Sequence, residues 1–283
     1  MNIKTKLAEI LNNRQRNDKS LRYILSIIVL NNRIQYYKMY IMLALRYGYK
    51  VTTFIDFYHD RDSEVKHLVL RHDVDHNTIA TRKLFEAELE CGVRSTYYFR
   101  KSTIDRKLIQ DMISAGFEVG FHYETLSDYA KEHNSMSIGH IDMKDVRERL
   151  KSDIEEFNQA IKNKIRSCAG HGDPMNIELK CSNNVLFEEI DSTYYGIEVE
   201  AYNKDLYENY IDAHIMDNSI AYNYGFSYQS NPISDILAGR RNIVFLAHPS
   251  HWYLSLKSRF KLLINILIFR NVVTETNRDF KRI

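Results

Sequence analysis

Four apolar runs in this chain each end on a polar cluster rich in histidine and acid. They read VKHLVLRHDVDH from Val65, FEVGFHYE from Phe117, IRSCAGHGDP from Ile165 and NIVFLAHPSHW from Asn242. A buried strand of a parallel sheet is apolar on both faces, so a run of this kind followed by polar residues marks a strand and its C-terminal end. Helical patterns separate the runs. Asn77 can cap a helix that extends to about Cys91, Asp105–Ala115 is a shorter one, and 142–163 carries Val146, Leu150, Ile154, Phe157 and Ile161 on one face. Arg94–Arg100 adds a further β-rich run. Strand–helix–strand repetition implies an α/β fold with a parallel sheet, open or closed into a barrel. The order within 190–235 is not legible from the sequence.

Composition sets the class. The chain has 283 residues, 44% hydrophobic and 27% charged, which excludes disorder and a disulfide-stapled miniprotein. The three cysteines, Cys91, Cys168 and Cys181, match no zinc-finger or CxxC spacing, and we read them as free thiols in a reducing compartment. The N-terminus lacks a secretory pattern, and Ile24–Leu30 is too short to cross a bilayer. A cytoplasmic location is therefore expected.

The net charge of +2 conceals an asymmetry: residues 1–50 carry ten basic and two acidic residues, and residues 239–283 carry nine and two. The centre is strongly acidic. Basic ends suit an anionic membrane surface or a solvated helix face. The acidic centre and the absence of a recognition motif argue against nucleic acid. We divide the chain into a basic helical extension (1–50, with a helix over 20–47), a central (β/α) domain (51–255) and a C-terminal amphipathic helix and tail (256–283).

Chemistry concentrates at the strand ends. On a strand, Arg71, Asp73 and Asp75 share a face, and two carboxylates placed together there are costly unless a cation joins them. His122 and Glu124 close the next run, and His171 lies between two glycines that let the backbone turn toward a ligand. His248 and His251 follow the last strand. Sites of parallel α/β folds are built at this edge. An Asp/His set without cysteine suits Zn²⁺, Co²⁺, Mn²⁺ or Fe²⁺. A two-metal phosphoesterase would require more convergent carboxylates than are present.

The ordered series LRHDVD, STYYF, GFEVGFHYE, AGHGDP and FLAHP resembles the polysaccharide deacetylase (NodB-homology, carbohydrate esterase) family over about residues 65–252, in a branch whose first motif reads HDVD. The resemblance implies a distorted (β/α) barrel and removal of acetyl groups from N- or O-acetylated sugars with one divalent metal, Zn²⁺ first among the candidates. Asp73 then matches the general base, Asp75 and His122 the metal ligands, and His248 the general acid. The family's second metal histidine falls at Leu126, so the third ligand is His171 or Glu124, with His171 preferred. The family's base-orienting arginine has no counterpart in AGHGDP, and Arg71 can substitute for it. Trp252, Tyr123 and His251 are assigned to the substrate, with Trp252 stacking on a sugar ring. An acid at His248 favours an N-acetyl substrate over an O-acetyl one, because a departing amine must be protonated. The expected substrate is an acetylated sugar or lipid-linked glycan of surface polysaccharide biosynthesis, handled in the cytoplasm or peripherally at the inner membrane face. The alternative is a barrel of this kind without catalysis, serving as a glycan-binding or scaffold protein.

Overall fold

The computed structural model describes residues 33–76, 78–217, 231–253 and 255. Asn77, the part of the 20–47 helix before Arg33 and the 256–283 tail lie outside them. In chain order the elements are α1 (Ile34–Arg46), β1 (Lys50–Thr52), α2 (Phe54–Asp60), β2 (His67–Val74), α3 (Thr78–Cys91), β3 (Thr96–Phe99), α4 (Arg106–Ser114), β4 (Glu118–Tyr123), α5 (Thr125–Glu132), α6 (Met143–Ile161), β5 (Ser167–Gly170), α7 (Pro174–Leu179), β6 (Val199–Glu200), α8 (Lys204–Asn209), β7 (Ala213–Met216), α9 (Pro232–Leu237), β8 (Asn242–Ala247) and α10 (Pro249–Trp252).

The strands form one sheet in the order β6-β5-β4-β3-β2-β8-β7, and every pairing is parallel. β1 pairs with the first half of β2 at Lys50–Thr52, and β3 takes over from Arg71 onward. The sheet curls into a distorted (β/α) barrel. The strands and helices expected from the sequence are present with ends shifted by one or two residues. The additions are β1, α2, α5, α7, β6, α8, β7, α9 and α10, all short, and an element of two to eight residues is too brief to display a period.

Alternation sorts the side chains of each strand into two cores. Outward, Leu68 and Leu70 pack with Tyr37, Ile41 and Ala44 of α1 and Leu84 of α3. Val119, Phe121, Phe157 and Ile154 fill the layer between β4 and α6. Inward, Val69, Tyr98, Ala169, Val199 and Val244 come from five strands and meet Phe54 and Phe57 of α2. That short helix closes the N-terminal mouth of the barrel. Its first amides have no helical acceptor, and inward side chains accept them: Phe54 N donates to Thr96 Oγ1 at 2.7 Å and Ile55 N to Glu118 Oε2 at 2.9 Å. Gly120 belongs to the same interior. A Cβ there would lie 2.5 Å from the Tyr98 ring and 2.7 Å from the Ser167 carbonyl oxygen. The large ring on β3 is thus housed by the absence of a side chain on β4.

Inward positions at the opposite, C-terminal edge carry no apolar residues on β2 and β4. They are Arg71, Asp73 and His122, so the strand period delivers the polar clusters to one mouth of the barrel.

Candidate active site

The period of β2 places Arg71 and Asp73 on the inner face, and Asp75 just beyond the strand follows the same side. Arg71 is fully buried and grips Asp73 with two parallel bonds, Nε to Oδ1 and Nη2 to Oδ2, each 3.0 Å. Its remaining Nη1 donates to Ala201 O at 3.3 Å, and its guanidinium lies 4.1 Å from the Tyr202 ring centroid. Burial alone would push the Asp73 carboxyl up; the charges of Arg71, His122 and His248 outweigh this and hold it below its usual value. Asp73 is therefore an oriented, ionised carboxylate.

Three ligand atoms converge beside it. Asp75 Oδ1 lies 3.3 Å from His122 Nε2 and 3.1 Å from His171 Nδ1, and the two imidazole nitrogens are 3.1 Å apart. Atoms bonded to one divalent ion at about 2.0–2.2 Å stand about 3.0–3.6 Å from each other, so the three edges fit a shared ion. Two further observations agree. Asp75 Oδ1 is buried without a hydrogen-bond partner, an expensive state for a carboxylate oxygen unless a cation meets it. His122 donates its Nδ1–H to Ala169 O at 2.9 Å, which leaves the Nε2 lone pair directed at the cluster. Burial opposes ionisation of Asp75, but the surrounding imidazoles hold its carboxyl far below the usual range. The residues present fit a divalent metal.

His171 is set by the turn after β5. Its N–H donates to Tyr123 O at 2.9 Å, and Asn183 Nδ2 donates to its carbonyl at 2.7 Å. Gly170 eases this path, since a Cβ there would sit tightly at 3.3 Å from Asn183, Asn184 and Tyr123. Glu124 stands outside the cluster. Arg100 holds both its oxygens at 2.7 Å, and its nearest approach to His171 is 3.8 Å. It is not one of the three converging atoms; the structure brings together Asp75, His122 and His171.

His248, beyond β8, comes near the cluster, with Nε2 3.8 Å from Asp75 Oδ2. Its Nδ1 lies 2.7 Å from Asp217 Oδ1, and its backbone N–H donates to Asp217 Oδ2 at 2.9 Å. Burial disfavours the imidazolium, yet the Asp217 carboxylate, with Asp75 and Asp73 behind it, raises the His248 pKa to about 9. A protonated imidazole with Nε2 facing the cluster is a ready proton donor.

Asp217 was not among the residues singled out by sequence. It follows β7, in the stretch whose order the sequence does not reveal. Its carboxylate also accepts from His251 Nδ1 at 3.0 Å and from the Trp252 indole N–H at 2.6 Å. This corrects the role expected of Trp252. Its ring is 1% exposed and packs on Tyr37 and Phe245, so no face is open to a sugar. Tyr123 is likewise fully buried, on the outer face of β4, with its hydroxyl 3.3 Å from Glu200 Oε1. An even position on β4 faces the barrel interior and an odd one faces the helices; Tyr123 is odd. His251 is partly exposed beside His248 and keeps a place at the rim.

No family model and no curated protein matches the chain. It is similar to the structure of a family 4 carbohydrate esterase from Streptomyces lividans in complex with acetate (15% identity over 65% of this chain and 79% of that one, TM-score 0.38). It is also similar to a family 4 acetyl xylan esterase from Clostridium thermocellum in complex with a cobalt ion (12% identity, 71% and 81%, TM-score 0.38). A third is a family 4 pseudoenzyme from Bacillus anthracis (13% identity, 75% and 61%, TM-score 0.38).

Proposed function

We propose that this protein is a divalent-metal-dependent hydrolase that removes acetyl groups from a sugar, N-acetyl in preference to O-acetyl, in the assembly of a surface polysaccharide. One observation carries the reading: a candidate ligand triad of Asp75, His122 and His171 with an unpartnered buried oxygen lies near both a carboxylate fixed by arginine and an imidazole fixed by a carboxylate.

When bound, a divalent ion supplies Lewis acidity to the acetyl carbonyl and to the attacking water. The rest falls to the chain's own groups. Asp73, kept ionised by Arg71, accepts the proton of the water. Its second oxygen lies 3.5 Å from His122 Nε2, so the base sits within reach of the ligand cluster. His248, with Nε2 3.8 Å from Asp75 Oδ2, gives its Nε2 proton to the departing nitrogen. Asp217 holds the Nδ1 proton, fixes the tautomer and stabilises the charged ring before transfer. An amine leaves poorly without that proton, whereas an alkoxide of a sugar ester depends on it less.

The test is release of acetate from N-acetylated and O-acetylated oligosaccharides by metal-loaded protein, beside Asp73→Asn. Turnover lost in the variant with metal retained supports the hydrolase. A wild-type chain that binds about one metal ion yet releases no acetate from either class would overturn it and favour the glycan-binding alternative.

A further inference from the structure

The motif His248-Pro-Ser-His251-Trp252 holds more ligand atoms than a proton donor uses. α10 follows β8 as a single turn that opens on Pro249, and the His251 N–H donates to His248 O at 2.8 Å. The turn brings two imidazoles three residues apart in the chain side by side, with ring centroids 4.8 Å apart. Both direct Nδ1 at one atom, Asp217 Oδ1, from 2.7 Å for His248 and 3.0 Å for His251. The other carboxylate oxygen accepts the His248 amide at 2.9 Å and the Trp252 indole N–H at 2.6 Å. These two bonds fix the carboxylate so that Oδ1 faces the rings, as outer hydrogen bonds do for a metal ligand.

The three residues repeat the donor set of the first triad, one carboxylate and two imidazoles, and one ligand atom from each lies within 4.8 Å of the others. Atoms bonded to one Zn²⁺ at about 2.0–2.2 Å stand about 3.0–3.6 Å apart, so a small outward turn of the His248 ring opens the cluster to an ion. Asp217 is fully buried, whereas the His248 and His251 side chains are 17% and 20% exposed. An ion therefore enters from the solvent side and completes its shell there with water. The cluster is separate from the first triad. The two nitrogens of an imidazole lie on different edges of the ring, and His248 turns Nε2 toward Asp75 and Nδ1 toward Asp217.

We propose that Asp217, His248 and His251 form a second, weaker site for a divalent cation of the Zn²⁺ class, and that its occupation withdraws His248 from its role as acid. The withdrawal rests on the hydrolase reading; the site does not. The order of affinity follows from what each carboxylate oxygen gives up. Asp75 Oδ1 has no hydrogen-bond partner to lose, whereas Asp217 Oδ1 exchanges two charge-assisted hydrogen bonds for the ion. In the bound state Nδ1 of each ring gives its lone pair to the ion, each ring keeps its hydrogen on Nε2, and the displaced proton leaves to solvent. A neutral imidazole coordinated in this way holds its Nε2–H far more tightly than an imidazolium does, and an amine leaves poorly without a proton donor.

Equilibrium dialysis of the purified chain against rising free Zn²⁺, with ions per chain read by mass spectrometry, tests the site. The wild type should pass from about one ion to about two, the second binding about tenfold or more weakly. His251→Ala and Asp217→Asn should each stop at about one ion, and the ion they retain shows that the strand ends are still folded. Asp75→Ala/His122→Ala should lose the tight ion and keep the weak one. A wild type that stops at about one ion, lost in Asp75→Ala/His122→Ala, would overturn the site. So would a second ion that persists in both His251→Ala and Asp217→Asn. A single ion lost in His251→Ala instead would support the site and count against the first triad. With an N-acetylated oligosaccharide, wild-type turnover should fall about tenfold or more over the Zn²⁺ range in which the second ion binds. Turnover of His251→Ala, relative to its own value with the tight ion alone, should not. Equal inhibition in both proteins, or full turnover with two ions bound, would overturn the withdrawal of His248.

Discussion

His248 and Asp217 lie 2.7 Å apart although they stand on neighbouring strand ends 31 residues distant in the chain. The carboxylate is fully buried, and it also accepts the Trp252 indole N–H. Removing its charge while keeping its shape should leave the fold intact and disable the imidazole. Asp217→Asn is expected to lower turnover on an N-acetyl substrate by about 10²–10⁴. On an O-acetyl substrate the loss should be smaller. Steady-state kinetics on the two substrates measures the difference, and equal losses would count against His248 as the acid.

The ligand set predicts metal content. Asp75→Ala, His122→Ala and His171→Ala should each abolish tight binding of one divalent ion per chain, read by mass spectrometry of the purified protein. Glu124→Gln should retain the ion with an affinity lowered by about 10–100-fold, as for a group that orients a ligand. Loss of metal in Glu124→Gln equal to that in His171→Ala would place Glu124 among the ligands.

Arg71 and Asp73 form a buried ion pair, and breaking one side is costly because the other is left charged in the interior. Arg71→Met should destabilise the fold by about 3–5 kcal/mol in urea unfolding. Arg71→Met/Asp73→Asn should be more stable than Arg71→Met alone. Asp73→Asn alone should keep the metal and lose turnover.

Glu200 gives a pH signature. Burial pushes its carboxyl up to about 7, against hydrogen bonds from the Tyr202 and Gly170 amides and the charge of Arg71. An unfolded glutamate titrates near 4.3. Between these values the folded state binds more protons than the unfolded one, so stability from this group is present at low pH and declines as pH rises through about 7. The full span amounts to about 3–4 kcal/mol. Glu200→Gln should therefore flatten the wild-type decline between about pH 5 and 8, measured by chemical unfolding across that range. An unchanged slope would refute the assignment.

The sequence by itself determined the strands that end in chemistry and the side of each strand that carries it. The apolar runs mark β2 and β4, and a period of two then puts Arg71 and Asp73 on one face of β2 and His122 on one face of β4 without reference to the rest of the chain. It also supplied the helix over 142–163, whose five apolar positions are all buried. Tertiary structure decided what those residues meet. His171 joins Asp75 and His122 only because β4 and β5 pair in register, while Glu124, closer in sequence to His122, is drawn off by Arg100. Trp252 and Tyr123 look like sugar platforms in a string of letters, but packing turns their rings into the core. Asp217 could not be found at all, because its strand is four residues long and its partners arrive through the pairing of β7 with β8. Periodicity is local and survives in one dimension; a hydrogen bond between residues brought together by a parallel crossover does not.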